Sequence, residues 1–276
     1  MDGGERGRQN GAMAKTVIDV SRDGPIATVT INRPERRNAV TAEMMRDLDG
    51  VARAFAEDEQ TRVVILRAEG MDFSVGDDLA APPSAPRGPT SLVMRRRGVE
   101  LGATLMRSLQ EVHQPTICAV KGVATGAGAC IASACDFRIG DETARVGYGE
   151  VKLGMNLMWN AVPICVHLVG PARAKQMIMT GKLFDAATLE RWGFLDEVTA
   201  PADLDARARA WAEEYAALPP IAVQMIKRSI NIVAGALDRA VMHMDADQWL
   251  LATGSGDYRE AVAAFFEKRK PAFRGD

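Results

Sequence analysis

Pro115-Thr116-Ile117-Cys118-Ala119-Val120-Lys121-Gly122-Val123-Ala124-Thr125-Gly126-Ala127-Gly128 is the stretch on which the reading of this chain turns. Its first six residues form a continuous apolar run, as expected of a strand covered on both faces. Glycines 122, 126 and 128 then interrupt it, and small and apolar residues to Ala134 predict a helix. A strand that passes through Gly126-Ala127-Gly128 into a helix exposes backbone N–H groups at the helix start. Those groups and the helix dipole stabilise negative charge. Such a turn is half of an oxyanion hole. It is equally what close packing of a helix on a strand requires, and taken alone it favours packing. It is not a P-loop, because the Gly-Lys-Ser/Thr ending is absent, and Ile131 stands where a dinucleotide fingerprint has its third glycine.

Upstream, Phe73-Ser74-Val75-Gly76-Asp77-Asp78-Leu79 follows another apolar strand, Val63–Arg67, and carries a glycine that lets backbone approach a ligand. Two such turns would aim two N–H groups at one oxygen, if they meet in space. Val17–Val20 and Ile26–Ile31 flank Asp23-Gly24-Pro25 and read as a hairpin. Thr41 is an N-cap for a helix carrying Met44, Met45, Leu48, Val51, Ala52 and Phe55. A helix is predicted over 99–112 and a strand over Phe137–Ile139. Helices are predicted through most of 160–180, over 186–193 and from about 203 onward. Residues 81–89 form a Pro-rich loop. With Arg95-Arg96-Arg97 beyond it, this is either a mobile segment near a ligand or a solvated surface. The pattern is α/β with a helical C-terminal part.

The chain has 276 residues, 47% hydrophobic and 25% charged, with a formal net charge of -2. That balance gives no reason to expect nucleic acid or a membrane surface as a partner. No apolar run reaches the roughly 18–20 residues of a membrane span. Residues 1–14 read as a disordered leader without a secretory signal, so a cytoplasmic location is expected. Cys118, Cys130, Cys135 and Cys165 read as buried free thiols. His113, His167 and His243 have no metal-ligand spacing, and no metal is expected.

Several segments, in order, resemble the crotonase (enoyl-CoA hydratase/isomerase) superfamily from about residue 16 to 274. They are Ile26–Pro34 with Arg37-Asn38-Ala39-Val40, Phe73–Leu79, Pro115–Gly128, Ala134–Ile139 and the tail Asp257–Phe273. The resemblance implies an α/β fold, a crotonase-like spiral of ββα units over 15–202, followed by a helical C-terminal trimerisation region over 203–276. It implies an acyl-CoA thioester substrate, with coenzyme A part of the substrate and no separate cofactor, and a homotrimer or homohexamer. By position, Asp77 and Ala127 would supply the oxyanion-hole N–H groups. Arg37, Ala39, Val75, Gly76, Asp78, Leu79, Gly126, Gly128, Cys130, Phe265 and Lys268 would contact substrate or coenzyme A. A carboxylate at residue 77 would repel an enolate, so its side chain is expected to point away.

Relatives that hydrate enoyl thioesters use two carboxylates. By that resemblance Glu150 occupies one of the two positions and Cys130 the other. A thiol with an ordinary pKa near ~8.5 is a poor substitute for a carboxylate base. A single base can instead take a proton beside the double bond and return it two carbons away. Double-bond isomerisation with Glu150 as base is therefore the leading expectation. Enoyl-CoA hydration, with Asp78, Asp136 or Tyr148 fixing the water, and a non-catalytic CoA-thioester-binding paralogue are the alternatives. A nicotinamide oxidoreductase rests on the glycine turn alone. Met158 and Trp159 stand where small residues are usual, which points to an altered acyl preference.

Overall fold

The computed structural model describes residues 17–80 and 91–276. The expected leader and the Pro-rich segment over 81–89 lie outside the described residues. Strands β1 (Ile18–Asp23) and β2 (Ile26–Ile31) form the antiparallel hairpin, turning at Gly24 with φ +56°. Next to β2 come β3 (Val63–Ala68), β4 (Thr116–Val120), β6 (Phe137–Asp141) and β9 (Glu197–Thr199), each parallel to its neighbour in the order β1-β2-β3-β4-β6-β9. All five residues of β4 are buried, as its unbroken apolar run predicts.

A second, smaller sheet comprises β5 (Val123–Thr125), β7 (Arg145–Gly147) and β8 (Phe184–Asp185). Isolated bridges from Ser74 to Ala124 and from Val40 to Asp77 prolong the same pattern. Successive passes of the chain thus give one strand to each sheet before a helix closes the turn. The glycine-rich segment after β4 is therefore not all turn, since β5 is folded within it.

Helix α1 (Ala42–Ala54) begins as expected, with Thr41 Oγ1 accepting from Met44 N at 3.2 Å. The helix expected over 99–112 is α3 (Leu101–Gln110), and it is preceded by a short helix that the sequence reading did not include, α2 (Leu92–Gly98). Ser91 caps the first, which places Arg95-Arg96-Arg97 on α2, where Arg96 pairs with Asp247. Helices α4 (Ala127–Ala134), α5 (Ala161–Val169), α6 (Pro171–Thr180) and α7 (Ala186–Trp192) bury residues in the larger core together with α1 and α3. Helix α8 (Leu204–Ala216) packs Leu204, Ala208, Ala212 and Ala216 against the other face of the main sheet. Spacing of four with small side chains gives a narrow stripe that lets helix and sheet approach closely.

The chain ends in α9 (Pro220–Ala234), α10 (Asp238–Met242), α11 (Asp245–Gly254) and α12 (Gly256–Glu267). Lys227 ties α9 to the core, donating to Gln114 O at 2.8 Å and pairing with Asp136 at 2.6 Å. All four cysteines are buried and free, as read from the sequence. No described helix is long and apolar enough to cross a membrane.

Asn38 holds the loop between β2 and α1. It is fully buried with φ +55°, accepts from Arg33 N at 2.8 Å, and donates to Glu69 O at 2.7 Å and Asp72 O at 2.8 Å. Asn tolerates this left-handed backbone better than most residues. Asn38→Ala should strand three backbone groups, Arg33 N, Glu69 O and the buried Asp72 O, and cost about 2–4 kcal/mol. The check is a fall in the urea midpoint with an unchanged slope.

Candidate active site

The two glycine turns meet. Phe73 N donates to Lys121 O at 2.8 Å, Ser74 N to Val123 O at 3.0 Å, and Thr125 N to Ser74 O at 3.0 Å. Gly76, with φ +94°, lies so close to the second turn that a Cβ there would sit 2.9 Å from Thr125 O and 3.8 Å from Ala127 N. A Cβ on Gly128 would lie 2.6 Å from Ser74 O. The two sequence readings of the turn, close packing and exposed donors, are thus both realised. Ala127 N is the first amide of α4, and among the described residues neither it nor Asp77 N finds a hydrogen-bond acceptor.

Glu150 opens a 3-10 helix, Glu150–Leu153, which ends at Gly154 with φ +66°. Its carboxylate lies over the second turn, with Oε1 3.3 Å from the position a Cβ would take on Gly126. That same position is 3.8 Å from Gly76 Cα, so Glu150 faces both turns at once. Its Oε2 is buried without a partner. Burial, reinforced by the negative charge of Asp77, pushes the Glu150 carboxyl up to about 7, against a pull downward from its own backbone N–H. A group poised there is suited to taking and giving protons at neutral pH.

Cys130 sits in α4, 1% exposed. Burial and then the Glu150 charge raise its thiol well above the ordinary value. The position expected to hold a carboxylate is thus a neutral, packed side chain beside Glu150. The three residues considered as substitutes are occupied or enclosed. Asp78 takes Arg33 at 2.7 Å and Arg36 at 3.0 Å. Asp136 accepts from Thr116 N and Oγ1 and pairs with Lys227. Tyr148 is fully buried, and Cys165 and Cys130 raise its phenol well above the usual range after burial itself.

The backbone register of Asp77 bears on the expectation that its side chain turns away. Asp77 and Asp78 are successive residues of extended chain beside Val40: Val40 N donates to Gly76 O at 2.8 Å and Asp78 N to Val40 O at 2.9 Å. Side chains alternate along such a segment. Asp78 goes to the arginines, so alternation puts Asp77 on the other side, that of Glu150. Its charge is felt there by Glu150 and by Tyr258 of α12. Asp77 is an exposed residue, although protein atoms crowd round its carboxyl. Burial and the Asp78 charge push its carboxyl up to about 6.

Tyr258 was not singled out from the sequence. It reaches the site because α12 packs on Gly154, where a Cβ would lie 3.0 Å from Tyr258 Cα. Trp159 and Asn160 both have positive φ, and Asp245 accepts from Asn160 N at 2.8 Å. The Trp159 indole covers Gly102 of α3 so closely that a Cβ there would sit 1.9 Å from it.

Of the other sequence candidates, Ala39 is buried beside the Val40 bridge, its carbonyl held by Arg33 at 2.8 Å. Val75 N donates to Arg37 O at 3.2 Å, and Arg37 pairs with Asp72 at 2.7 Å, while Leu79 is exposed. These residues surround the first turn. Phe265 and Lys268 do not join them. Both lie exposed at the far end of α12, roughly 10 Å or more along the helix from Tyr258, and neither pairs with a site residue among the described residues.

A family model described as enoyl-CoA hydratase/isomerase matches residues 21–276. The short-chain-enoyl-CoA hydratase of Clostridium acetobutylicum is 31% identical, covering 92% of this chain and 95% of that protein. The 1,2-epoxyphenylacetyl-CoA isomerase of Escherichia coli K12 is also 31% identical, over 91% of this chain and 95% of its own. The crystal structure of an enoyl-CoA hydratase from Mycobacterium avium subsp. paratuberculosis K-10 superposes with a TM-score of 0.83 at 24% identity, covering 94% of this chain and 99% of that one, a likeness of fold.

Proposed function

Because the chain belongs to the enoyl-CoA hydratase/isomerase family, we propose that it moves a double bond in an enoyl-CoA thioester, with Glu150 as the proton-carrying base. The observation that carries this reading is the Glu150 carboxylate, buried, unpaired at Oε2 and lying over both glycine turns. Glu150 takes a proton from the carbon next to the thioester carbonyl. The electron pair moves onto the thioester oxygen, which the N–H groups of Asp77 and Ala127 hold as the enolate. Return of a proton two carbons away completes the shift. Arg37, Ala39 and Val75 border the coenzyme A side of the turns. Phe265 and Lys268, distant from this chain's own site, would serve a neighbouring subunit. Trp159, wedged over Gly102, narrows the room for the acyl group.

Hydration is the second reading. It is favoured by the second carboxyl in the cleft, that of Asp77, and by the hydratase names of relatives. Matched 3-enoyl-CoA and 2-enoyl-CoA substrates separate the two by mass spectrometry. A double-bond shift without mass gain supports isomerisation, a gain of one water supports hydration, and binding without turnover would leave a thioester-binding paralogue. In either reaction activity should fall away in acid solution, as the carboxyl takes up its proton.

The homotrimer or homohexamer expected of the chain is consistent with α9, whose Ile221, Met225, Ile226, Ile230, Ile232 and Val233 are all exposed. Sedimentation should give three or six times the mass of one chain. Ile226→Glu with Ile230→Glu should lower that mass.

A further inference from the structure

We propose that Asp77 is a second catalytic residue, its carboxyl forming with that of Glu150 an acid–base pair across the meeting point of the two glycine turns. The proposal rests on the enolate chemistry assigned above to Glu150 and adds a partner to it. Three observations place Asp77 there. The alternation beside Val40 sends Asp78 to Arg33 and Arg36 and leaves Asp77 on the cleft side. Gly76, its neighbour, is the residue against which Gly126 packs, and Glu150 Oε1 lies over that contact. Among the described residues no hydrogen-bond or ion-pair partner engages the carboxylate of Asp77, an exposed residue, and Glu150 Oε2 is buried without one.

Tyr258 from α12 and the Cys130 thiol from α4 lie within electrostatic reach of the pair, while Asp78, on the other face of the segment, is engaged by arginine. None of them is a cation. Two carboxyls in such surroundings resist double ionisation: burial and then the Asp78 charge raise Asp77 to about 6, and burial first, with the Asp77 charge adding to it, raises Glu150 to about 7. At intermediate pH the pair holds one proton, and the titration belongs to the pair rather than to either residue.

One carboxylate beside one carboxylic acid is the combination that enolate chemistry needs. In isomerisation the ionised member takes the proton from the carbon beside the thioester carbonyl, and that C–H electron pair moves onto the thioester oxygen. The protonated member then gives its proton two carbons further on, and the charge collapses into the new double bond. The two carboxyls have exchanged roles, and the pair still holds one proton. If water is the nucleophile, the ionised member takes the proton from water as its oxygen bonds to the β-carbon. The protonated member gives its own to the α-carbon, with the same balance. The chain thus recovers a second carboxyl that Cys130 does not supply, from a different wall of the cleft.

The test compares wild type, Asp77→Asn, Asp77→Glu and Glu150→Gln on 3-enoyl-CoA and 2-enoyl-CoA between pH 5 and 9. The expected result is a fall in kcat of about 10²-fold or more for Asp77→Asn, with KM little changed and partial recovery in Asp77→Glu. Wild-type kcat should decline on the alkaline side, where both carboxyls are ionised. A single base would stay flat there. Asp77→Asn within about threefold of wild type, with an unchanged pH profile, would overturn the proposal. Carbon-13 NMR titration of the Glu150 carboxyl gives a readout without substrate. Its pKa should drop in Asp77→Asn, and an unchanged value also overturns the pair. Absence of turnover by wild type on either thioester would instead defeat the function assigned to Glu150, and the NMR titration would still decide whether the two carboxyls share a proton.

Discussion

Glu150→Gln should lower kcat by about 10³-fold, within the range usual for losing a positioned acid or base, and at the same time make the protein more stable at pH 8. The two effects have one source. In the folded chain the Glu150 carboxyl keeps its proton up to about 7, whereas the same group exposed releases it near 4.5. Unfolding therefore sheds a proton between those values. Stability is greatest below that window, falls as the pH rises through it and stays low above it. Glutamine has nothing to ionise, so the cost vanishes above the window. The gain is at most about 3 kcal/mol and is reduced by leaving the amide unpaired, so a rise in Tm of a few degrees is expected. At pH 4 the variant should melt no higher than wild type. Thermal scans at the two pH values, with kcat measured on the same preparations, check both halves. A variant that is inactive and equally less stable at every pH would point to damaged packing and not to a lost base.

Gly76→Ala is the second large effect. The new methyl group would meet Thr125 O at 2.9 Å, on a backbone with φ +94° where L-residues are strained. Strain of about 1–3 kcal/mol is expected from the backbone alone. The more telling loss is catalytic, because the methyl group pushes apart the turns that carry the Asp77 and Ala127 amides. Loss of one aligned donor commonly costs about 10²–10³-fold in kcat. Gly24→Ala is the control. It also has positive φ, +56°, but opens on empty space in the β1–β2 turn. It should lose stability and keep its kcat. Equal kcat for Gly76→Ala and wild type would remove the paired donors from the mechanism.

How much of this was legible in the chain depended on whether the signal was local. Strands β3 and β4 announce themselves as unbroken apolar runs, and Thr41 announces α1 by its cap. Strand β5 does not, because three residues among glycines carry no period. Helix α2 was missed because its seven residues carry three successive arginines and too few apolar positions to show a helical period. In the site, the glycine turns and Glu150 could be named from their motifs, but not the burial of Glu150, since Gly-Tyr-Gly-Glu has the composition of a solvated loop. The direction of Asp77 depends on its register against Val40, 37 residues away by number. Tyr258 arrives from more than 100 residues beyond Glu150, through a contact of α12 with Gly154 that nothing near either residue foretells.

Asp77 and Asp78 are the same amino acid, adjacent in the chain, with opposite fates: one tied down by two arginines, the other left open to the cleft. What separates them is parity. Insertion or deletion of one residue between Gly76 and Leu79 would exchange the faces without changing which side chains are available. A laboratory library that varies only residue types here would miss that alternative, and one that also varies segment length would sample proteins in which the salt-linked acid and the free acid trade places.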